Sequence, residues 1–148
     1  MMQPDRHNRQ IVAEVDVKVQ FFDLDPMQVV WHGNYVRYLE VARCELLDSI
    51  EYNYEQMKDS GYAWPIIDLH ARYIKPAVFG QLVRVRANLI EWENRLKIGY
   101  LIVDANTGQR LLKASTTQVA VDITTQEMCF ASPAILAEKL ACYWKKNK

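Results

Sequence analysis

The chain has 148 residues, half of them hydrophobic, and its eighteen basic residues balance eighteen acidic ones. That length suits one domain built on one core, and a formal charge of zero supplies no global field toward nucleic acid or anionic lipid. The basic cluster Lys139, Lys145, Lys146 and Lys148 reads as a solvated helix end.

Three cysteines, Cys44, Cys129 and Cys142, are odd in number and widely spaced. They make neither a disulfide framework nor a CxxC site, so a reducing compartment, the cytoplasm, is expected. The polar start MMQPDRHNRQ lacks the apolar core of a signal peptide. No segment approaches the ~20 apolar residues of a membrane span.

From Glu14 to Phe22, Val15, Val17, Val19 and Phe21 alternate with polar residues, the period of a half-buried strand. Asp23 to Gln28, with Pro26, breaks the pattern as a loop. Tyr35, Leu39, Ala42, Leu46 and Ile50 then recur at helical spacing. The helix is expected to start at an Asn34 cap and to close in the run Met57–Gly61. Cys44, at mid-helix, reads as an inert buried thiol.

Downstream, Ala63 to Ile74 reads as one extended run ended by Lys75 and Pro76. Leu82–Trp92 and Leu96–Asp104 form a hairpin across Glu93 and Asn94, and a long strand runs from Leu111 to about Val121. Pro133 opens a terminal helix, where proline is tolerated at the first turn. One strand, one long helix, four strands and a last helix predict an α+β fold, a curved antiparallel sheet wrapped around the helix. Its edge strands make a homo-oligomer the economical expectation.

Chemistry concentrates between Phe21 and Glu40, F-F-D-L-D-P-M-Q-V-V-W-H-G-N-Y-V-R-Y-L-E. Two carboxylates, Asp23 and Asp25, end a strand; His32 and Gly33 then approach a helix whose first N–H groups are unpaired and partly positive. Such donors can hold the negative charge that develops on an attacked carbonyl, and a carboxylate nearby can attack it or deprotonate water. Asp23 itself reads as a loop residue or as a support behind the site. No G-x-S-x-G elbow, glycine-rich phosphate loop or metal-ligand spacing among His7, His32 and His70 is found, so neither cofactor nor metal is implied.

Asp25, Val29, Val30, Trp31, His32, Asn34 and Tyr35, followed by Tyr38, Glu40, Ala42 and Arg43, resemble the active-site signature of the 4-hydroxybenzoyl-CoA thioesterase-like family of hotdog proteins. Tyr73-Ile74-Lys75-Pro76-Ala77 with Gly80 resembles the same family's later segment. The resemblance implies a single hotdog domain over 1–148, with a core at about 12–132 and a C-terminal helix at about 133–146. It implies hydrolysis of an acyl thioester, carried by coenzyme A or an acyl carrier protein, in a cleft between subunits of a homodimer or homotetramer. Asp25 takes the position of nucleophile or general base, and His32 that of the backbone donor to the carbonyl. Trp31, Gly33, Asn34 and Tyr35 fall along the substrate. Many relatives carry glycine two or three residues after the catalytic Asp, where this chain has Met27 and Gln28. Two rivals stay open: a hydratase or dehydratase using His32 with Asp25 or Glu40, and a non-catalytic acyl-thioester binding module. Arg72, Lys75, Arg84 and Arg86 read as phosphate contacts or as solvated strand faces.

Overall fold

The structure, a computed structural model, describes residues 10–147. The polar start with His7, and Lys148, lie outside the described residues. In chain order the elements are β1 (Val12–Lys18), α1 (Asn34–Ser49), α2 (Tyr54–Asp59), β2 (Tyr62–Ala63), β3 (Ile66–Tyr73), β4 (Leu82–Glu91), β5 (Leu96–Asp104), β6 (Arg110–Gln118), β7 (Val121–Asp122) and α3 (Ala134–Lys146).

A five-stranded antiparallel sheet has the order β1-β4-β5-β6-β3, and β2 pairs with β7 in a small second ladder. Alternation explains why these segments are strands. Val83, Val85, Ala87 and Leu89 of β4, and Leu96, Ile98, Tyr100 and Ile102 of β5, all turn inward and are buried. α1 lies on β1 and β4 and buries Tyr35, Tyr38, Leu39, Ala42, Leu46 and Leu47. Register shifts at Leu89/Glu91 and Ile102/Val103 bend the ladders around that helix. The α+β architecture is the one expected.

Three boundaries, and the burial of one cysteine, differ from the expectation. The alternation of β1 ends at buried Val19; the chain turns through a short 3-10 helix, Phe21–Asp23, and leaves Phe21 exposed. The central helix does not run on to Met57–Gly61 but stops at Ser49. Glu51 takes a left-handed φ of +56°, and the Asn53 side chain accepts the Tyr54 N–H at 2.7 Å to start α2 afresh. The break swings Tyr52 into the core, where its hydroxyl meets Ser60 at 2.8 Å and accepts from Trp64 at 3.1 Å. The run Ala63–Ile74 is likewise divided. Pro65, which has no N–H for a ladder, separates β2 from β3. Finally, Cys44 is exposed, not buried, and its sulfur accepts from the Asn53 amide at 3.2 Å.

The turn after β5 is organised by one carboxylate. Asp104 accepts from the N–H groups of Asn106 and Thr107, both at 2.8 Å, and from the Gln81 amide at 2.6 Å. These bonds, that from Gln81 foremost, hold its carboxyl at about 2 against an ordinary 3.8. A depressed carboxyl contributes stability that is complete above its unfolded value and is lost as the pH falls toward the folded one. Urea unfolding between pH 5 and pH 2 should therefore weaken less steeply in Asp104→Asn than in the parent; parallel curves would contradict the assignment.

Candidate active site

β1 ends in the 3-10 turn, which carries Asp23 inward to 1% exposure. A carboxylate so buried needs partners, and five groups reach this one residue. Its Oδ2 accepts from the Gln20 N–H at 2.9 Å and the Tyr38 hydroxyl at 2.8 Å, and its Oδ1 from the Arg37 guanidinium. Its carbonyl accepts from the Trp31 N–H at 3.0 Å and the Asn34 side-chain amide at 2.8 Å. Burial, followed by the bond to Asp23 and its charge, raises the Tyr38 phenol far above its ordinary 10.0, so Tyr38 stays a neutral donor. Asp23 thus pins the strand end to the first turns of α1.

The loop that follows closes on itself. The Asp25 N–H donates to the Val29 carbonyl at 2.8 Å, and the Gln28 N–H to the Asp25 carbonyl at 2.9 Å. Asp25 is half-buried, and its Oδ1 accepts from the Met27 N–H at 2.8 Å and more distantly from Val29 at 3.4 Å. Among the described residues nothing donates to its Oδ2. Gln28 sits at φ +63°, in the left-handed region that glycine enters without strain. The chain therefore keeps the turn while carrying a side chain at a position suited to glycine.

The far side of the loop is tied to the connection between β3 and β4. Val30 donates to Ala77 at 2.9 Å, Val29 bridges to Val78, and the Tyr35 hydroxyl accepts the Ala77 N–H at 2.9 Å. Burial chiefly raises the Tyr35 phenol, and the Asp25 charge adds to the rise, which puts the two residues within electrostatic reach. Tyr73 packs edge-on against Tyr35 at 5.4 Å and donates its hydroxyl to the His32 carbonyl at 2.7 Å.

The helix begins one residue earlier than expected: Gly33, not Asn34, is the cap, and Asn34 is the first helical residue. Asn34 donates its own N–H to the Trp31 carbonyl at 2.8 Å, which fixes the peptide plane between Trp31 and His32. In a trans peptide the N–H opposes the C=O, so the His32 N–H is aimed away from the helix. Among the described residues it has no acceptor. A Cβ at Gly33 would stand 2.4 Å from the Trp31 ring, which would have to shift to admit it. That ring folds over Gly33 and lies 5.0 Å from the exposed His32 imidazole.

The six residues singled out in the sequence thus gather at the N-terminus of α1, but with different commitments. Asp25, His32 and Trp31 keep free polar atoms or exposed surface. The polar groups of Asn34 and Tyr35 hold the scaffold, bonded to Asp23 and Ala77. Glu40 is paired with Arg43, and Arg84 is paired with Asp16 at 2.9 Å. Sequence reasoning left Asp23 between a loop residue and a support, and missed the role of Tyr73; the one signal for Tyr73 was that it opens the second family-like segment.

A family model described as the thioesterase-like superfamily matches residues 19–139. The chain belongs to that superfamily and is a thioester hydrolase of the hotdog fold. It is 27% identical over 128 residues to the long-chain acyl-CoA thioesterase FadM of Escherichia coli, spanning 86% of this chain and 96% of that protein. Protein TT1821 of Thermus thermophilus superposes with a TM-score of 0.77 at 26% identity, over 88% of this chain and 98% of that one. The Synechocystis 1,4-dihydroxy-2-naphthoyl-CoA thioesterase Slr0204 gives a TM-score of 0.78, over 88% of this chain and 96% of that one; at 19% identity it speaks for the fold alone.

Replacing Asp23 by alanine strands the Tyr38 hydroxyl and the Gln20 N–H. Urea denaturation of Asp23→Ala should show a loss on the order of 3 kcal/mol, and a change below about 0.5 kcal/mol would remove Asp23 from the scaffold.

Proposed function

We propose that the chain hydrolyses an acyl-CoA, with Asp25 as the catalytic carboxylate and the His32 N–H as the donor to the thioester carbonyl. One observation carries the reading: among the described residues a backbone N–H at the start of α1 lacks an internal acceptor, on the same short loop as a carboxylate with one oxygen fixed and one uncommitted. The carbonyl oxygen accepts from His32, where the partial positive charge of the helix terminus favours the oxyanion. Asp25 Oδ2 attacks the carbonyl carbon, the thiolate leaves and takes a proton from water, and a second water opens the mixed anhydride to the acid. In the alternative route the same oxygen draws a proton from the attacking water. The acyl group sits on CoA by analogy with FadM, and the cytoplasm is its natural compartment. No helix of the described residues is long and apolar enough to cross a membrane.

The cleft is read as shared between two copies of a single hotdog domain. Among the described residues β3 pairs only with β6, so its other edge offers unpaired backbone groups, and Ile67, Leu69 and Tyr73 along it are exposed. Joining two such edges makes one continuous sheet and covers Trp31, His32 and Tyr73 at the mouth of the site. The hydratase reading that joins His32 to Glu40 loses support because Glu40 is taken up by Arg43.

Asp25→Asn keeps the loop's size while removing the negative charge. In a thiol-release assay kcat should fall by about 10²–10⁴ with KM nearly unchanged. A variant as active as the parent would overturn the assignment. Single turnover in isotope-labelled water separates the routes, since label in the Asp25 side chain requires the anhydride.

A further inference from the structure

The sheet face turned away from α1 holds a groove of about 560 Å³ that the reaction above does not use. Arg86 of β4, Lys97 of β5, Lys113 of β6 and Arg72 of β3 line it. The register aligns three of them: Arg86 lies opposite Leu101, Leu101 opposite Lys113, and Lys113 opposite Arg72. Like charges directly across a strand pair are destabilising, and Lys113 and Arg72 stand so. Among the described residues none of the four cations forms an ion pair, although Glu14 stands across from Arg86 and Glu91 across from Lys97. Glu91 is instead paired with Arg95 at 3.0 Å.

The floor of the groove is of another character. Ile90 lies flat on Gly99, where a Cβ would approach its Cδ1 to 2.7 Å, and Leu101 continues the apolar surface. Beside them the buried Asn88 Oδ1 has no hydrogen-bond partner among the described residues. Such an atom normally has one, and the Asn88 side chain lines the groove. Tyr73 reaches the His32 carbonyl from one face of β3, while its neighbour Arg72 lines the groove on the other. The groove and the site thus lie on opposite faces of the sheet, at neighbouring residues of β3.

We propose that this groove binds a nucleotide carrying at least two phosphates. Its apolar floor receives the flat base, the Asn88 amide hydrogen-bonds the base edge, and the cation row holds the phosphates. The ligand is either a free nucleotide or the nucleotide end of a CoA thioester. Both present the same chemistry, and the site stands whether or not Asp25 is the catalytic group. A dimer stacked back to back on this face would set cation against cation, which disfavours a second copy as the occupant.

Calorimetry on the full chain with ADP, inorganic pyrophosphate and adenosine tests it. ADP should bind more tightly than pyrophosphate, adenosine should bind least, and sodium chloride should weaken ADP binding. The double variant Arg86→Gln/Lys113→Gln should lose at least tenfold in ADP affinity. Without ligand, Lys113→Gln should raise the thermal midpoint, because its repulsion with Arg72 is gone; this readout also guards against a misfolded variant. No ADP binding at millimolar concentration, or equal binding by parent and double variant, would overturn the proposal. The source follows from comparing an acyl-CoA with the same acyl group on N-acetylcysteamine, which has no nucleotide. If ADP binding is lost and KM rises for the CoA ester alone, the groove holds the substrate's own nucleotide. If ADP binding is lost and both KM values stay unchanged, it holds a free one.

Discussion

The buried carboxylate of Asp23 is the joint on which the site depends. It accepts hydrogen bonds at the end of β1 and in the first turns of α1, while its carbonyl holds Trp31 and Asn34. Removing a charge from water is unfavourable unless its lone pairs are met, so the strand end and the helix start are fixed relative to one another. The loop from Asp25 to Val29 hangs between these two supports. Its geometry follows from them: a short closed turn, one aspartate oxygen held by Met27, and a His32 N–H turned away from the helix.

The loop is also braced from the opposite side. Tyr35 and Tyr73 reach across from α1 and β3 to the Ala77 N–H and the His32 carbonyl. Both phenols act as scaffold hydrogen-bonding groups, and burial keeps Tyr35 neutral well into the alkaline range. Function and stability therefore draw on different atoms of neighbouring residues. The pinned groups belong to Asp23, Asn34, Tyr35 and Tyr73, and the free ones to Asp25 and His32.

Much of this was legible in the residues themselves. Alternation announced β4, the tight connection at Glu93 and Asn94 announced β5, and three- and four-residue spacing announced α1, because burial on one face forces those periods. The resemblance around Asp25 and His32 pointed to the candidate site. What stayed hidden depended on contacts between distant parts of the chain. Asp23 and Asp25 look alike in a row of letters; only the closeness of Tyr38 and Arg37 makes the first a buried anchor. The end of α1 was obscured for a related reason, since Tyr52 continues the apolar pattern yet is drawn aside to Ser60 and Trp64. Gln28 hides its turn as well, because its left-handed backbone is one that sequence patterns assign to glycine.

The central claim is that this joint makes one carbonyl meet both the His32 N–H and the Asp25 carboxylate. A crystal structure with a ketone analogue of an acyl-CoA, in which a methylene replaces the thioester sulfur, tests it most directly. The account predicts the ketone oxygen at about 3 Å from the His32 nitrogen, with Asp25 Oδ2 facing the carbonyl carbon. A ketone bound elsewhere, with Asp25 turned to solvent, would contradict it.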